Sequence, residues 1–476
     1  MGGIEKLSEG SNYEDKKSPA RFRSLTRYSR LIFLLSAMAG LLLAVYQIMG
    51  LHSLTGLAVL ENSYLYLLLA LFLSNVFLVF PATAKSPRSY IPLYDIFLFL
   101  ICLSVGGYFS VTGLTSLQEG WEFISPTGPV VMAFVFWVLI MEAARRAGGW
   151  GIAIIFGTFS LYPIFADMQF MPAVLSGLSQ DIVATASYHM MSEESVLGIP
   201  LRVFGTLIVG FILFGVALQS TGGGRFFINL AFAVLGGVRG GPAKVAIFAS
   251  GLFGSLSGSV VTNILTTGSM TIPAMKRTGY PPRYAGGIEA CASTGGVLMP
   301  PVMGATAFVM ASFLDIPYVA VALAAVVPSF LYFFGLFVQI DSYAARNDIQ
   351  GLPKSELPSV KKTLSEGWYY IFGFLLLVYL LIYLKREAHA PFYATVALLA
   401  LSQFGKLKRQ DVWYYILGCA ILAFLAIIIA SVKFSAAFVT TVPLGAGVIL
   451  LALSQAPKEI RISSVSYTHL TLPTKA

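Results

Sequence analysis

The sequence is short of charge, histidine and cysteine. Asp, Glu, Lys and Arg make up 11% of its 476 residues, against roughly a quarter in soluble domains, which excludes an ordinary water-soluble fold. The three cysteines, Cys102, Cys291 and Cys419, lie inside apolar runs with no Cys or His at ligand spacing, so neither a disulfide framework nor a metal cage of that kind is expected. His52, His189, His389 and His469 are scattered, and no nucleophile–base pair can be assembled, so no catalytic residue, cofactor or enzymatic activity is expected. The glycine-rich run from Gly236 to Lys244 lacks the Gly-Lys-Ser/Thr ending of a phosphate-binding loop, and no strand precedes it. ATP hydrolysis is excluded on those grounds, which leaves an ion gradient or a partner as the energy source.

Apolar residues make up 57% of the chain. Residues 1–30 read as a flexible polar tail, and the apolar span that follows directly reads as uncleaved. Runs long enough to span a bilayer are expected at about 31–50, 64–81, 93–113, 129–144, 150–166, 203–219, 316–338, 368–384, 391–404, 412–431 and 436–454. Residues 226–238 are too short to cross, and 339–367 reads as a polar loop. With the N-terminus in the cytoplasm, all but four of the 31 Lys and Arg, namely Arg202, Lys385, Arg386 and Lys433, fall on cytoplasmic segments. That asymmetry accounts for the net charge of +9 without nucleic acid. It holds only if residues 243–274 enter and leave from one side, as a re-entrant hairpin does. The outer loop 167–202 is acidic, which suits either docking of a soluble partner or a plain solvated surface.

Two interruptions organise the apolar part. The first, Gly254-Ser255-Leu256-Ser257-Gly258-Ser259, leads into Thr262, Asn263, Thr266 and Thr267. Hydroxyl and amide oxygens, with carbonyls freed at a glycine-rich break, form a neutral oxygen set that suits Na⁺ better than a transition metal. The N-terminus of a half-helix starting there favours an anion. Close helix packing through small residues is the plainer alternative. The second, Ser293-Thr294-Gly295-Gly296-Val297-Leu298-Met299-Pro300-Pro301, removes two backbone donors beside two glycines, so the helix is expected to open and expose carbonyls. Glu289, just before it, is either a functional intramembrane carboxylate or the ion-pair partner of Arg283 or Lys276. Glu142 is expected to pair with Arg145 and Arg146 along one helix. Asp95 is expected to be a helix cap or an interface residue.

The stretches GGPAKVAIFASGLFGSLSGSVVTNILTTGSMTIPAMKRTGYPP, GGIEACASTGG, MPPVMGATAFVMA and IPY, with PLYD and MEAARRAGGW upstream, resemble the large membrane subunit of TRAP (tripartite ATP-independent periplasmic) transporters. The likeness is greatest to the branch that fuses small and large membrane subunits and works with a TAXI-type binding protein. It implies an all-α polytopic inner-membrane permease of bacteria or archaea: an elevator-type, Na⁺-coupled symporter taking an organic anion from a periplasmic binding protein. On this chain it implies a cytoplasmic tail at 1–30, a small-subunit-like four-helix scaffold at 31–146, and a partial transport domain at 147–455 with a re-entrant hairpin and a broken helix. The implied ion and substrate site comprises Ser255, Ser257, Gly258, Ser259, Asn263 and Thr267 on the hairpin. Ser293, Thr294, Gly295, Gly296, Met299, Pro300 and Pro301 supply its other side, with Ser257, Ser259, Gly295 and Gly296 as Na⁺ ligands. Where that branch often has Gln after STGG, this chain has Val297.

The family's second repeat, with its own hairpin, has no counterpart after residue 368, and residues 456–476 read as unrelated translated sequence. A truncated gene product is therefore expected, which keeps open a membrane scaffold that binds a partner and transports nothing.

Overall fold

The computed structural model describes residues 22–168 and 172–404. The expected spans at 412–431 and 436–454 and the tail at 456–476 lie outside these residues. Contacts divide the described chain into two compact units, the first ending at Val209 and the second beginning at Gly210.

The first unit contains α1 (Arg27–Ile48), the single turn α2 (His52–Thr55), α3 (Glu61–Val79), α4 (Leu93–Glu119), α5 (Thr127–Gly148), α6 (Trp150–Phe165), α7 (Ile182–Met191) and α8 (Ile199–Val203). Helix α3 is the hub, packing on α1, α4 and α5, while α6 and α7 pack on α5. Tyr64, Leu65, Tyr66 and Leu68 of α3 are sealed against Phe109 and Phe136. Small residues permit the close approach: a Cβ on Gly106 of α4 would collide with that of Ala70. The buried Tyr66 hydroxyl donates to the Met190 carbonyl at 2.7 Å and that of Tyr64 to Gly205 at 2.8 Å, so neither is left unpaired.

Two expectations are corrected here. The segment before α1 is structured from residue 22: Arg23 is only 4% exposed and donates to the carbonyls of Phe77 and Pro87. Asp95 does not cap α4. Its fully buried carboxylate pairs with Arg23 at 2.5 Å and Arg146 at 2.6 Å, because a charge at that depth needs opposite charges. Glu142 does join Arg145 and Arg146, at 2.7 Å each.

A π-helical turn, Phe204–Ile208, leads into the second unit. That unit holds α9 (Val209–Thr221), α10 (Gly223–Leu235), α11 (Gly241–Ser257), α12 (Val260–Arg277), α13 (Pro282–Gly296), α14 (Ala305–Phe313), α15 (Tyr318–Arg346), α16 (Val360–Ile382) and α17 (Ala390–Phe404). Helix α11 is its centre, touching α10, α12, α13 and α15. The short α10 buries Phe226, Phe227, Ile228, Ala231 and Phe232, packing on α11 and α16.

Among the described residues seven helical spans are long and apolar enough to cross a membrane. Helix α6 is not one of them: its 16 residues reach about 24 Å, short of a hydrocarbon core of about 30 Å. The expected loop at 339–367 is partly helical instead. Helix α15 continues to Arg346 because Asp341 is neutralised by Arg239 and by Lys244 at 2.6 Å, and α16 starts at Val360. Along α15, Leu323, Val327, Phe330, Leu331 and Phe334 form an outward apolar surface that no described residue covers.

Candidate functional site

The two interruptions are narrower than the sequence implies, and they touch. Helix α11 continues through Gly254 and Ser255 to Ser257, and the chain reverses at Gly258 alone. Gly258 adopts φ +60°, and its N–H closes the helix on the Gly254 carbonyl at 3.0 Å. Ser259 is extended and its hydroxyl caps α12 by accepting from the Thr262 amide. A two-residue tip therefore joins antiparallel helices, in place of the longer irregular segment expected at 254–259.

The second interruption is displaced toward the C-terminus. Ser293 to Gly296 remain helical in α13, and the non-helical segment is 297–304, containing the cis Pro300–Pro301 peptide. Prolines at 300 and 301 cannot donate, so the helix cannot resume until α14 at Ala305. The gap is bridged by the Gly304 amide to the Val297 carbonyl at 2.9 Å.

The Val302 amide donates to the Ser255 carbonyl at 3.1 Å, tying the tip to the unwound segment. Gly254 and Gly296 meet so closely that a Cβ on Gly254 would lie 2.5 Å from the Gly296 Cα. Asn263 reaches across the hairpin and donates to the Ser250 carbonyl at 3.0 Å. Tyr318 locks the far side by donating to the carbonyls of Pro301, at 2.8 Å, and Val302.

The expected site residues fall into three groups. Met299 to Pro301 lie in the unwound segment, Gly296 packs on Gly254 while Gly295 faces Tyr332 and Phe333 of α15, and Ser257, Gly258 and Ser259 lie at the tip. The Ser257 Oγ is buried there and makes no hydrogen bond among the described residues. Asn263, Thr267 and Ser293 lie deeper, fully buried. Ser255 and Thr294 turn their hydroxyls back onto their own helices, at the carbonyls of Leu252 and Ala290, both 2.8 Å away. Thr266 does the same at Thr262.

Glu289 pairs with neither Arg283 nor Lys276, both of which are exposed. It is 0% exposed, and its carboxylate accepts from Ser250 and Ser293, at 3.2 Å each, and from Thr267 and Thr271. Sequence reasoning marked Glu289 but missed Ser250 and Thr271. The signal for Thr271 was present: four-residue spacing puts Asn263, Thr267 and Thr271 on one face of α12. Among the described residues no three His, Cys, Asp or Glu come together in a group that could hold a metal ion.

Comparison with known proteins identifies the frame around this site. The family model described as "Tripartite ATP-independent periplasmic transporter, DctM component" matches residues 135–464. The chain belongs to this TRAP transporter family. It is 31% identical over 222 residues to the C4-dicarboxylate TRAP transporter large permease protein DctM of Pseudomonas aeruginosa, covering 45% of this chain and 51% of that protein. The isethionate TRAP transporter permease protein DctMQ of Oleidesulfovibrio alaskensis is 29% identical over 159 residues, 32% of this chain and 24% of that one. The sialic acid TRAP transporter large permease protein SiaM of Vibrio cholerae is 28% identical over 158 residues, 33% and 36% of the two chains. The chain spans about half the length of the first of these TRAP relatives.

Proposed function

We propose that the protein is the permease of a secondary transporter that takes up an organic anion, a carboxylate, delivered by a periplasmic substrate-binding protein, with Na⁺ as the coupling ion. The observation that carries the reading is the contact between a two-residue hairpin tip and an unwound segment. Irregular backbone inside an apolar helix cluster persists where it lines a ligand site. There the Ser257 hydroxyl is buried with no partner among the described residues, beside the capping Ser259, and oxygen donors of that kind suit Na⁺ as cargo. The N-terminal end of α12, with its partial positive charge, suits an anion. Relatives named for C4-dicarboxylate, isethionate and sialic acid share an anionic cargo, which supports the substrate class.

In this reading 31–146 is the fused small-subunit scaffold, α11 and α12 form a hairpin re-entering from the cytoplasmic side, and the helices around it move as an elevator. The N-terminus is cytoplasmic. The experiment is uptake into liposomes by the complete gene product, with its purified periplasmic partner and labelled C4-dicarboxylates. Uptake that requires an inward Na⁺ gradient is expected. No uptake of any carboxylate tried would defeat the reading and leave a partner-binding scaffold.

A further inference from the structure

Glu289 lies where three helices meet, and each offers it only hydroxyl groups. Ser250 comes from α11, Thr267 and Thr271 from α12, and Ser293 from its own α13. Opposite it, Gly268 has no side chain, and a Cβ there would stand 3.0 Å from the Glu289 Cγ. The charged groups of the surrounding helices are engaged elsewhere or lie at the surface. On α11, Lys244 pairs with Asp341 of α15; on α12, Arg277 pairs with Glu356 and Lys276 is exposed. On α13, Arg283 and Cys291 are exposed, and Tyr284 stacks on Tyr343 of α15. Also on α15, Tyr332 donates to the Cys291 carbonyl, Tyr318 to Pro301 and Val302, and Arg346 is exposed. Among the described residues, then, Glu289 has no cationic partner.

Three of the four hydroxyls around it have a second acceptor within reach of their one proton. Thr267 Oγ1 is 2.8 Å from the Asn263 carbonyl, Thr271 Oγ1 is 2.9 Å from the Thr267 carbonyl, and Ser250 Oγ is 3.1 Å from Thr267 Oγ1. When the carboxyl is ionised, the hydroxyls point at it. When it is protonated, Ser250, Thr267 and Thr271 rotate back to these alternatives and the carboxyl O–H becomes a donor. Two proton arrangements thus fit one set of heavy-atom positions. A cation is less well served, since it would have to replace hydroxyl–carboxylate contacts that are already closed.

We propose that Glu289 is an exchangeable proton site, Glu–COO⁻ + H⁺ ⇌ Glu–COOH, through which a proton is bound and released inside the α11–α12–α13 cluster. Its role as a coupling site alongside Na⁺ rests on the transport reading above; the site itself does not. An intramembrane carboxylate ringed by hydrogen bonds and lacking a counter-ion is the arrangement of a proton relay.

Infrared difference spectroscopy of the full chain in lipid nanodiscs, without substrate or partner, tests it. The wild-type protein is expected to show a free-acid carbonyl band that grows and shrinks reversibly with bulk pH and is lost in Glu289→Gln. Thr271→Val, which keeps the carboxyl but removes one donor to its ionised form, is expected to carry the band to higher pH by about one unit. This variant keeps the test open if the Gln substitution prevents folding. A band that never changes with pH, or no band sensitive to either variant, overturns the proposal. So does a band abolished by Na⁺ at fixed pH, which would make Glu289 a cation ligand. Uptake failing while the band titrates would remove the transport reading alone; uptake with no titrating band would remove only the proton site.

Discussion

Substituting Gly258 by Ala tests the contact on which the proposed site depends. Gly258 sits at φ +60°, where a side chain costs about 1–2 kcal/mol. A Cβ there would also run into the Met303 carbonyl oxygen, well inside the 3.0 Å that real Cβ atoms respect. The tip must back away from the unwound segment, an overpacking penalty of about 1–3 kcal/mol. The 3.1 Å bond from the Val302 amide to the Ser255 carbonyl is stretched or lost with it, worth about 1 kcal/mol. Taken with some relaxation, the local opening free energy should fall by about 3–5 kcal/mol, a hundred- to several-thousand-fold rise in amide exchange. Hydrogen exchange by mass spectrometry in nanodiscs reads this on peptides covering 297–304, the partner segment, which does not contain the substitution. Gly56→Ala is the control, since Gly56 has φ +72° but nothing within 4 Å of a new Cβ. It carries the backbone strain alone and should leave 297–304 unchanged. Exchange at Val302 unaltered by Gly258→Ala would refute the reasoning, because the tip and the unwound segment would then not be in contact.

Further predictions rest on other parts of the chain. Ser257→Ala should leave stability unchanged or slightly raised, because it removes a buried hydroxyl that has no partner, yet weaken the Na⁺ dependence of uptake; Ser259→Ala should weaken it too while losing about 1 kcal/mol of helix capping. An unchanged Na⁺ response in both variants counts against Na⁺ at the tip. Asp95→Asn strands the buried Arg23 and Arg146 guanidinium groups and should destabilise the first unit by about 3–5 kcal/mol, seen as a lower thermal unfolding midpoint in detergent; a midpoint equal to wild type contradicts the buried pairing. Between α7 and α8, the hydrogen bond from Arg202 holds the Glu193 carboxyl below its usual 4.5. A depressed carboxyl contributes its stability above the unfolded value and loses it as pH falls through the folded one. Protection of residues 192–202, corrected for intrinsic exchange, should therefore hold on acidification to 4.5 and fall only below it, and Arg202→Ala should lower protection at neutral pH and flatten that fall.

Much of the helical frame was legible in the sequence because bilayer-spanning runs announce themselves by length alone. Gly258 and Ser259 are a helix stop and a helix start in adjacent positions, a local signal that reading 254–259 as one long break passed over. What failed was reading helical residues as broken: Gly254, Ser255 and Ser293 to Gly296 look irregular, but in this cluster small residues serve to bring α11 and α13 together. The Asp95 pairing was hidden because Arg23 is 72 positions away, in a stretch that reads as a polar tail. The surroundings of Glu289 were hidden for a related reason. Nearby cations in the sequence suggested a salt bridge, whereas the fold turns the carboxylate inward to hydroxyls of two other helices.

The account's central claim is best tested by measuring uptake of labelled carboxylates by the complete protein reconstituted in liposomes. The periplasmic partner is supplied outside, and the Na⁺ gradient is imposed, abolished or reversed. The account predicts accumulation that needs both the partner and inward Na⁺, and that falls sharply when the tip is displaced by Gly258→Ala. Accumulation indifferent to Na⁺ and to that substitution, or none under any gradient, would contradict it.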